Sequence, residues 1–177
     1  DFDPVKIVDL FEREKLNYAF CIPTMFQAMV AAPNYTAEKF ASMELALTGG
    51  VTIDPGLLEH IDSEWGGTIR HIYGTTETMC SLYNPEPVGQ HATLRPGFYS
   101  RTRIVRIGGD GPDDVVAPGE EGELIVDASI DTIFSEYLGQ PDATAEKLHE
   151  GWYYTGDMFQ QERDGDVTIV GRVDDMI

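Results

Sequence analysis

Three stretches of the chain combine glycine with groups that can bind phosphate, a metal ion or a sugar. One is Tyr73-Gly74-Thr75-Thr76-Glu77. Hydroxyl groups beside a glycine can contact a phosphate, and a carboxylate is the hard oxygen ligand that Mg²⁺ prefers. A helix N-terminus is the alternative, with Thr75 or Thr76 as its cap and Glu77 near the positive end of the helix dipole. The spacing alone leaves both interpretations open.

The other two stretches also follow predicted strands. One consists of two segments considered together, Gly151–Asp157 and Gly171–Asp175. An aspartate at a glycine turn can accept both hydroxyls of a ribose, and an arginine can donate to the same sugar or to phosphate; the alternative is a turn aspartate and a surface arginine. The last is Thr48–Val51, where two glycines end a strand. Open α/β sheets bind ligands there, although a glycine pair is also an ordinary tight turn.

The elements that must position these groups change character along the chain. In the first part, helices alternate with short apolar runs, which predicts a mostly parallel sheet with crossover helices. The predicted strands are Tyr18–Ile22, read as buried, Glu44–Thr48 and Thr68–Tyr73. The predicted helices begin at Asp3-Pro4, at Thr24 as a cap, and at Asp54-Pro55.

After about Pro96, strand-like runs alternate with glycine-rich, proline-rich or acidic turns, which is typical of antiparallel sheet. The predicted strands are Arg101–Ile107, Glu123–Val126 and Val167–Val170, with one helix near Asp142–His149. The fold class is therefore α/β: part of a mostly parallel, helix-flanked sheet, followed by a β-rich distorted-barrel lobe. We assign 1–96 to the first lobe, 97–173 to the second, and 174–177 to the start of a hinge.

Composition narrows the function classes. The formal charge of −19 disfavours a nucleic-acid binder, which needs a basic face. We found no apolar run long enough to span a membrane and no signal-like start, and two cysteines without CxxC spacing favour a reducing compartment. We therefore expect a soluble, cytoplasmic protein. The spread of acidic residues is either a solvated face or an adaptation to high salt.

The motifs YGTTE, GWYYTGD and GRVDDMI, in this order, resemble consecutive signatures of the adenylate-forming superfamily of acyl-CoA synthetases, adenylation domains and luciferases. Residues 137–148, together with 72–77 and 103–109, most resemble the 4-chlorobenzoate/benzoate type of CoA ligase. The similarity covers essentially the whole chain, and three ordered motifs are far more specific than any one of them.

The resemblance implies roles for individual residues. Thr76 matches the threonine that contacts the AMP phosphate, and Glu77 matches the magnesium-binding glutamate. Asp157 matches the aspartate that holds the ribose hydroxyls, and Arg172 the arginine near that ribose. Asp174 matches the hinge of a C-terminal domain.

Two further groups of residues match binding surfaces of the family. The residues at the adenine site are Gly49, Gly50, Val51, His71 and Tyr73. The residues lining the acyl pocket are Phe20, Ile72, Gly74, Met79 and Cys80. Relatives that act on aromatic acids often carry asparagine at the position of Cys80, which sets this chain apart from them.

The resemblance implies an ATP-dependent ligase that uses Mg²⁺ and CoA and activates a small-molecule carboxylate as acyl-AMP. The family's serine-, threonine- and glycine-rich loop with its phosphate-binding lysine, and its C-terminal domain with the adenylation lysine, do not occur in this sequence, so we expect a fragment that is inactive by itself. Two alternatives remain: a module that only binds AMP, and an adenylation domain that loads a carrier protein. The sequence does not indicate the oligomeric state or the acyl group.

Overall fold

The computed structural model describes residues 1–50, 54–85, 93–162 and 165–175. Within these ranges the chain forms two compact units. The first contains residues 1–50, 54–72 and 84–85, and the second contains residues 73–83, 93–162 and 165–175. The lobe boundaries at 96 and 173 stay predictions.

The first unit is built of alternating helices and strands, as predicted. Its elements are α1 (Pro4–Glu14), β1 (Tyr18–Cys21), α2 (Pro23–Val30), a 3₁₀ turn (Ala37–Phe40), β2 (Leu45–Thr48), α3 (Pro55–Glu64) and the first part of β3 (Thr68–Thr75). The strands β1, β2 and β3 pair in parallel, with Tyr18 opposite Leu45 and Leu45 opposite Thr68. The prediction of a parallel sheet with crossover helices is confirmed.

An aromatic core joins the helices of this unit to one face of its sheet. Phe40 and Trp65 stack at 4.1 Å between ring centroids, and Phe11 and Phe26 pack against the same cluster. Side chains alternate along a strand, so every second residue of β1 lies on the opposite face, which is less covered. Phe20 is 57% exposed on that face, so the prediction that β1 is buried is wrong.

Two of the predicted helix starts are confirmed and one is wrong. Asp3 and Asp54 cap α1 and α3: Asp3 accepts hydrogen bonds from two backbone N–H groups of the first turn and Asp54 from one. The third helix start differs, because α2 begins at Pro23 and its N-cap, Ile22, makes no side-chain capping bond. Proline fits the first helical position since its missing N–H would be unpaired there anyway.

The second unit is an antiparallel sheet. It contains the end of β3, then β4 (Met79–Tyr83), β5 (Thr93–Pro96), β6 (Thr102–Val105), β7 (Glu121–Asp127), α4 (Pro141–Lys147), β8 (Leu148–His149), β9 (Trp152–Gln161) and β10 (Val167–Arg172). A 3₁₀ turn, Val173–Asp175, follows. The strand order is β4-β5-β10-β9-β7-β6, with β8 paired to β9. The predicted change to antiparallel sheet is confirmed.

The sequence-based elements differ from the structure in several places, and β4 and β5 were not predicted as strands. The predicted helix near Asp142–His149 ends at Lys147, and the next two residues pair with β9 instead. The ten-residue strand β9 was not predicted as a strand, because Gly156 within it indicated a turn. In the described ranges, no helix has both the length and the apolar character that crossing a bilayer requires.

Candidate functional site

Asp157 lies in the middle of β9, where the strand ladder is irregular on both sides. Against β7, the register shifts so that residues 155–157 lie opposite Leu124 alone. Against β10, it shifts between Ile169 and Gly171, which leaves Arg172 directly opposite Asp157. Such bulges redirect side chains and occur often beside functional sites. The prediction that Asp157 lies at a glycine turn is wrong, because Asp157 lies within a strand.

The Asp157 carboxylate is held by two protein donors. The phenol of Tyr73 donates to Oδ2 at 2.5 Å, and Nη1 of Arg172 donates to Oδ1 at 2.9 Å. Asp157 is 8% exposed, whereas the Arg172 side chain is 47% exposed. Arg172 also reaches Oδ2 of Asp174 at 3.4 Å. The structure thus brings together four predicted site residues in one chain of hydrogen bonds.

The charges in this cluster support one another. The negative charge of Asp157 raises the pKa of Arg172, and its hydrogen bond adds to the effect. Burial raises the pKa of Tyr73 well above its ordinary value, and the neighbouring Asp157 carboxylate raises it further. Tyr73 therefore stays a neutral hydrogen-bond donor. The result is a carboxylate with oriented donors, a geometry suited to accepting hydroxyl groups of a ligand.

Residues without an assigned role in the sequence analysis support the bulge in β9. Thr155 is buried, donates to the carbonyl of Leu124 at 2.8 Å, and accepts from the backbone N–H of Asp157 at 3.1 Å. Gly156 has φ +74, a conformation that favours glycine, and its N–H donates to Oε1 of Glu123 at 2.8 Å. Burial raises the pKa of the Glu123 carboxyl despite this bond. These contacts depend on the register between β7 and β9, which the sequence does not specify.

Glu77 lies in the turn between β3 and β4. No helix begins there, so the interpretation of Thr75–Glu77 as a helix cap is wrong. The side chain of Thr78 accepts from the backbone N–H of Thr75 at 3.2 Å and closes the turn. Gly74 lies so close to the Met79 carbonyl that a Cβ atom would collide with it. The turn therefore needs glycine at this position.

The Glu77 side chain and backbone are both bound by residues far along the chain. The phenol of Tyr137 donates to Oε1 at 2.7 Å, and the backbone N–H of Phe134 donates to the Glu77 carbonyl at 2.8 Å. Partial burial works against ionisation, but the hydrogen bonds outweigh it, and the pKa of Glu77 is lowered. Glu77 is thus a carboxylate at neutral pH.

The ligands around Glu77 fit magnesium, which takes most of its ligands from water and phosphate, better than they fit a metal ion held only by protein side chains. Among the described residues, no group of three or more His, Cys, Asp or Glu side chains could hold a metal ion. Magnesium commonly uses one or two protein carboxylates and takes its other oxygen ligands from water and substrate phosphates. A single half-buried carboxylate beside the exposed Thr76 fits this pattern.

The predicted adenine residues of the first unit lie around two strand ends. Gly49 and Gly50 follow β2 directly, and the backbone of Gly49 packs closely against that of Ile72. His71 is 5% exposed, and its Nδ1 has no hydrogen-bond partner among the described residues. Burial lowers the pKa of His71 to about 4, so it is neutral at pH 7. Val51 lies outside the described residues.

The remaining predicted residues differ in their surroundings. Phe20 in the first unit and Met79 in the second are exposed apolar side chains, at 57% and 68%. Cys80 is exposed too, and burial of part of its side chain raises the pKa of its thiol. The Tyr73 ring is buried and meets Phe159 edge-on at 4.9 Å between ring centroids. Their roles toward a ligand stay predictions.

Comparison with known proteins supports the motif-based interpretation. The family described as AMP-binding enzyme matches residues 1–138. The 4-chlorobenzoate–CoA ligase of Arthrobacter sp is 40% identical over 176 residues, which are 99% of this chain and 33% of that protein. Feruloyl-CoA synthase of Amycolatopsis sp is 31% identical over 99% of this chain and 35% of its own length. The chain spans about a third of these curated relatives.

Solved structures show the same fold. A benzoate CoA ligase from Burkholderia xenovorans superposes with a TM-score of 0.88 at 20% identity, over 99% of this chain and 35% of that one. An anthranilate CoA ligase in complex with anthranoyl-AMP gives 0.84 at 20% identity, over 98% and 33%. The predicted resemblance to adenylate-forming enzymes is confirmed. With its matched family model and these relatives, the chain belongs to the AMP-binding enzyme family.

Proposed function

We propose that this chain is part of an ATP-dependent carboxylate–CoA ligase. In the first half-reaction, a carboxylate oxygen attacks the α-phosphorus of ATP, giving acyl-AMP and releasing pyrophosphate. In the second, the thiol of CoA attacks the acyl carbon, loses its proton, and releases AMP. Relatives named as aryl-CoA ligases cover 99% of the chain, which supports this reaction class.

The observation that carries the proposal is the Tyr73–Asp157–Arg172 cluster. Each carboxylate oxygen of Asp157 accepts one protein donor. A carboxylate offers about four lone-pair positions, so two remain for the vicinal hydroxyls of a ribose. Arg172, half exposed beside it, can donate to the same sugar or to a phosphate oxygen. We therefore assign Asp157 and Arg172 to nucleotide binding.

Thr76 and Glu77 are assigned to the phosphates and to Mg²⁺. Glu77 offers a carboxylate that is ionised at neutral pH, and Thr76 offers an exposed hydroxyl. Magnesium, when bound, would neutralise negative charge as pyrophosphate leaves. The contribution of this chain is to hold the carboxylate and the hydroxyl on one tight turn.

The other assignments follow the motif positions. For adenine we propose Gly49, Gly50, Val51, His71 and Tyr73. For the acyl group we propose the residues that match the family's acyl pocket, namely Phe20, Ile72, Gly74, Met79 and Cys80; the exposed apolar side chains of Phe20 and Met79 favour an apolar substrate. For the hinge we propose Asp174. The partners are a small-molecule carboxylate, ATP and CoA.

The test is an assay of the protein that carries this chain. With ATP, Mg²⁺ and a panel that includes benzoate and 4-chlorobenzoate, we expect exchange of labelled pyrophosphate into ATP, and CoA thioester formation when CoA is added. Asp157→Ala should reduce both reactions, and Asp113→Ala, which removes an exposed aspartate paired with Arg103, should not.

Three outcomes would contradict the proposal in different ways. AMP binding without pyrophosphate exchange would indicate a nucleotide-binding module. Exchange without thioester formation, but with loading of a carrier protein, would indicate an adenylation domain. Absence of both AMP binding and exchange would remove the enzyme interpretation. We also expect residues 1–177 alone to show no exchange, since the relatives are about three times as long.

A further inference from the structure

We propose that Tyr137 is a positioning residue for Glu77, and through it for the magnesium–nucleotide complex. This inference rests on the proposed function, because it takes Glu77 as the carboxylate that binds Mg²⁺. It assigns a role to the segment of residues 134–144, whose Tyr137 lies 60 positions from Glu77 along the chain and contacts it in the fold.

The hydrogen bond between the two side chains is well formed. The Tyr137 phenol donates to Oε1 of Glu77 at 2.7 Å. This is the length of a charge-assisted bond between a hydroxyl and a carboxylate. Because the phenol uses one lone pair of Oε1, the other positions of the carboxylate stay available for a cation. Tyr137 can therefore orient Glu77 without competing for all of it.

Tyr137 is itself fixed by its own segment. Its backbone N–H donates to Oγ1 of Thr144 at 2.9 Å, and its ring packs against Phe134 at 4.7 Å between centroids. Phe134 in turn meets the ring of Tyr153 edge-on at 5.5 Å, and its N–H binds the Glu77 carbonyl. The segment thus holds both the backbone and the side chain of Glu77.

Such support matters because Glu77 lies on a turn. An unsupported glutamate samples many rotamers, and ordering it when a ligand binds costs conformational entropy. A carboxylate that is already oriented avoids part of this cost, which raises affinity without any new contact to the ligand. Tyr137 would therefore affect how tightly the metal complex binds, and leave the chemistry of the saturated enzyme unchanged.

The experiment compares Tyr137→Phe with wild type in the protein that carries this chain. Phenylalanine keeps the ring contact with Phe134 and the backbone bond to Thr144 and removes only the hydroxyl. Binding of Mn²⁺, as a probe for Mg²⁺, is measured by electron paramagnetic resonance in the presence of a non-hydrolysable ATP analogue. We expect about five-fold weaker Mn²⁺ binding, as for loss of one hydrogen bond to a partly exposed charge. Tyr99→Phe, at an exposed tyrosine, is the matched control and should bind as wild type does.

Two further measurements separate positioning from general damage to the fold. At saturating Mn²⁺ or Mg²⁺ the pyrophosphate exchange rate of Tyr137→Phe should return to the wild-type rate. In a Glu77→Gln background, adding Tyr137→Phe should cause no further loss of Mn²⁺ affinity, because Tyr137 acts through the carboxylate.

The outcomes distinguish the two proposals. If Glu77→Gln weakens Mn²⁺ binding and Tyr137→Phe does not, the positioning role is overturned and the proposed function stands. Equal losses from Tyr137→Phe in both backgrounds, or tighter binding in the single variant, would also overturn it. If wild type binds no Mn²⁺ with the analogue, both the magnesium role of Glu77 and this inference fall.

Discussion

The two carboxylates of the candidate site, Asp157 and Glu77, are held in different ways. Asp157 lies within a strand, 8% exposed, with a buried tyrosine and an arginine from the paired strand as donors. Glu77 lies on a turn, is half-buried, and depends on a phenol from a distant segment. Asp157 is thus oriented by paired strands of the sheet, whereas Glu77 is oriented by contacts from a segment outside the sheet, among them the hydrogen bond from Tyr137.

This difference fits the different roles proposed for Asp157 and Glu77 within the second unit. A ribose presents the same two hydroxyls before and after adenylation, so a rigid acceptor suits it. In the proposed function, Glu77 binds the magnesium–phosphate complex, and its orientation depends on contacts from another segment. We therefore expect substitutions around Asp157 to affect both folding and nucleotide binding, and substitutions around Glu77 to affect mainly the metal complex.

The largest effect should come from Asp157→Ala. It removes two hydrogen bonds to a charged group and leaves the buried Tyr73 phenol without its acceptor, so we expect AMP affinity to fall by roughly 10- to 100-fold and the free energy of unfolding by about 3 kcal/mol. Calorimetric titration and urea unfolding measure the two quantities. Asp113→Ala breaks a pair whose aspartate is 94% exposed, and it should cost less than about 1 kcal/mol. Equal costs for the two variants would mean that the sheet does not protect the Asp157 pair.

A smaller effect is expected from Tyr73→Phe. The substitution keeps the ring against Phe159 and removes the donor to Asp157, which should lower the free energy of unfolding by about 2 kcal/mol. Tyr137→Phe should lower it by about 0.5 kcal/mol, because its acceptor is more exposed. Urea unfolding of both variants compares the same chemical change at the two carboxylates. A larger loss at Tyr137 would reverse the proposed order of rigidity.

Lowering the pH should test the stability of β3, which carries the Asp157 donor Tyr73 and ends just before Glu77. His71 lies on β3, and burial lowers its pKa from 6.5 to about 4. Between these values the unfolded chain binds a proton that the folded chain does not, so stability is lost as the pH falls through this window. From pH 6.5 to 5 we expect a loss of about 1.5 kcal/mol from this group alone. His71→Asn should remove that part of the slope; an unchanged slope would show that His71 does not contribute to it.

The smallest effect should come from salt. With a formal charge of −19, the folded chain repels itself, and added salt should raise its unfolding midpoint. Salt should also abolish the small cost of Asp113→Ala, while the cost of Asp157→Ala persists because its carboxylate is shielded from solvent. Thermal unfolding over a salt series measures both. A midpoint that does not rise with salt would count against an adaptation to high salt.

The order of elements was largely predictable from the sequence. Proline after a capping aspartate indicates the starts of α1 and α3, and the spacing of apolar runs indicates a parallel sheet followed by an antiparallel one. These features depend on neighbours within a few residues. The burial of β1 was not predictable, because an apolar run does not reveal which face another element covers. The strand β9 was missed since a bulge lets glycine occupy its interior.

By the order of its motifs, the sequence determined the family of this protein and predicted the groups proposed for its chemistry, including Glu77, Asp157 and Arg172. Only the tertiary structure decided how these groups are held. Tyr73 and Asp157 are 84 positions apart, and Tyr137 and Glu77 are 60 apart. Hydrogen bonds across such distances depend on strand register, on bulges and on a tight turn. No local pattern specifies them, because each is a property of two segments that meet only when the chain has folded.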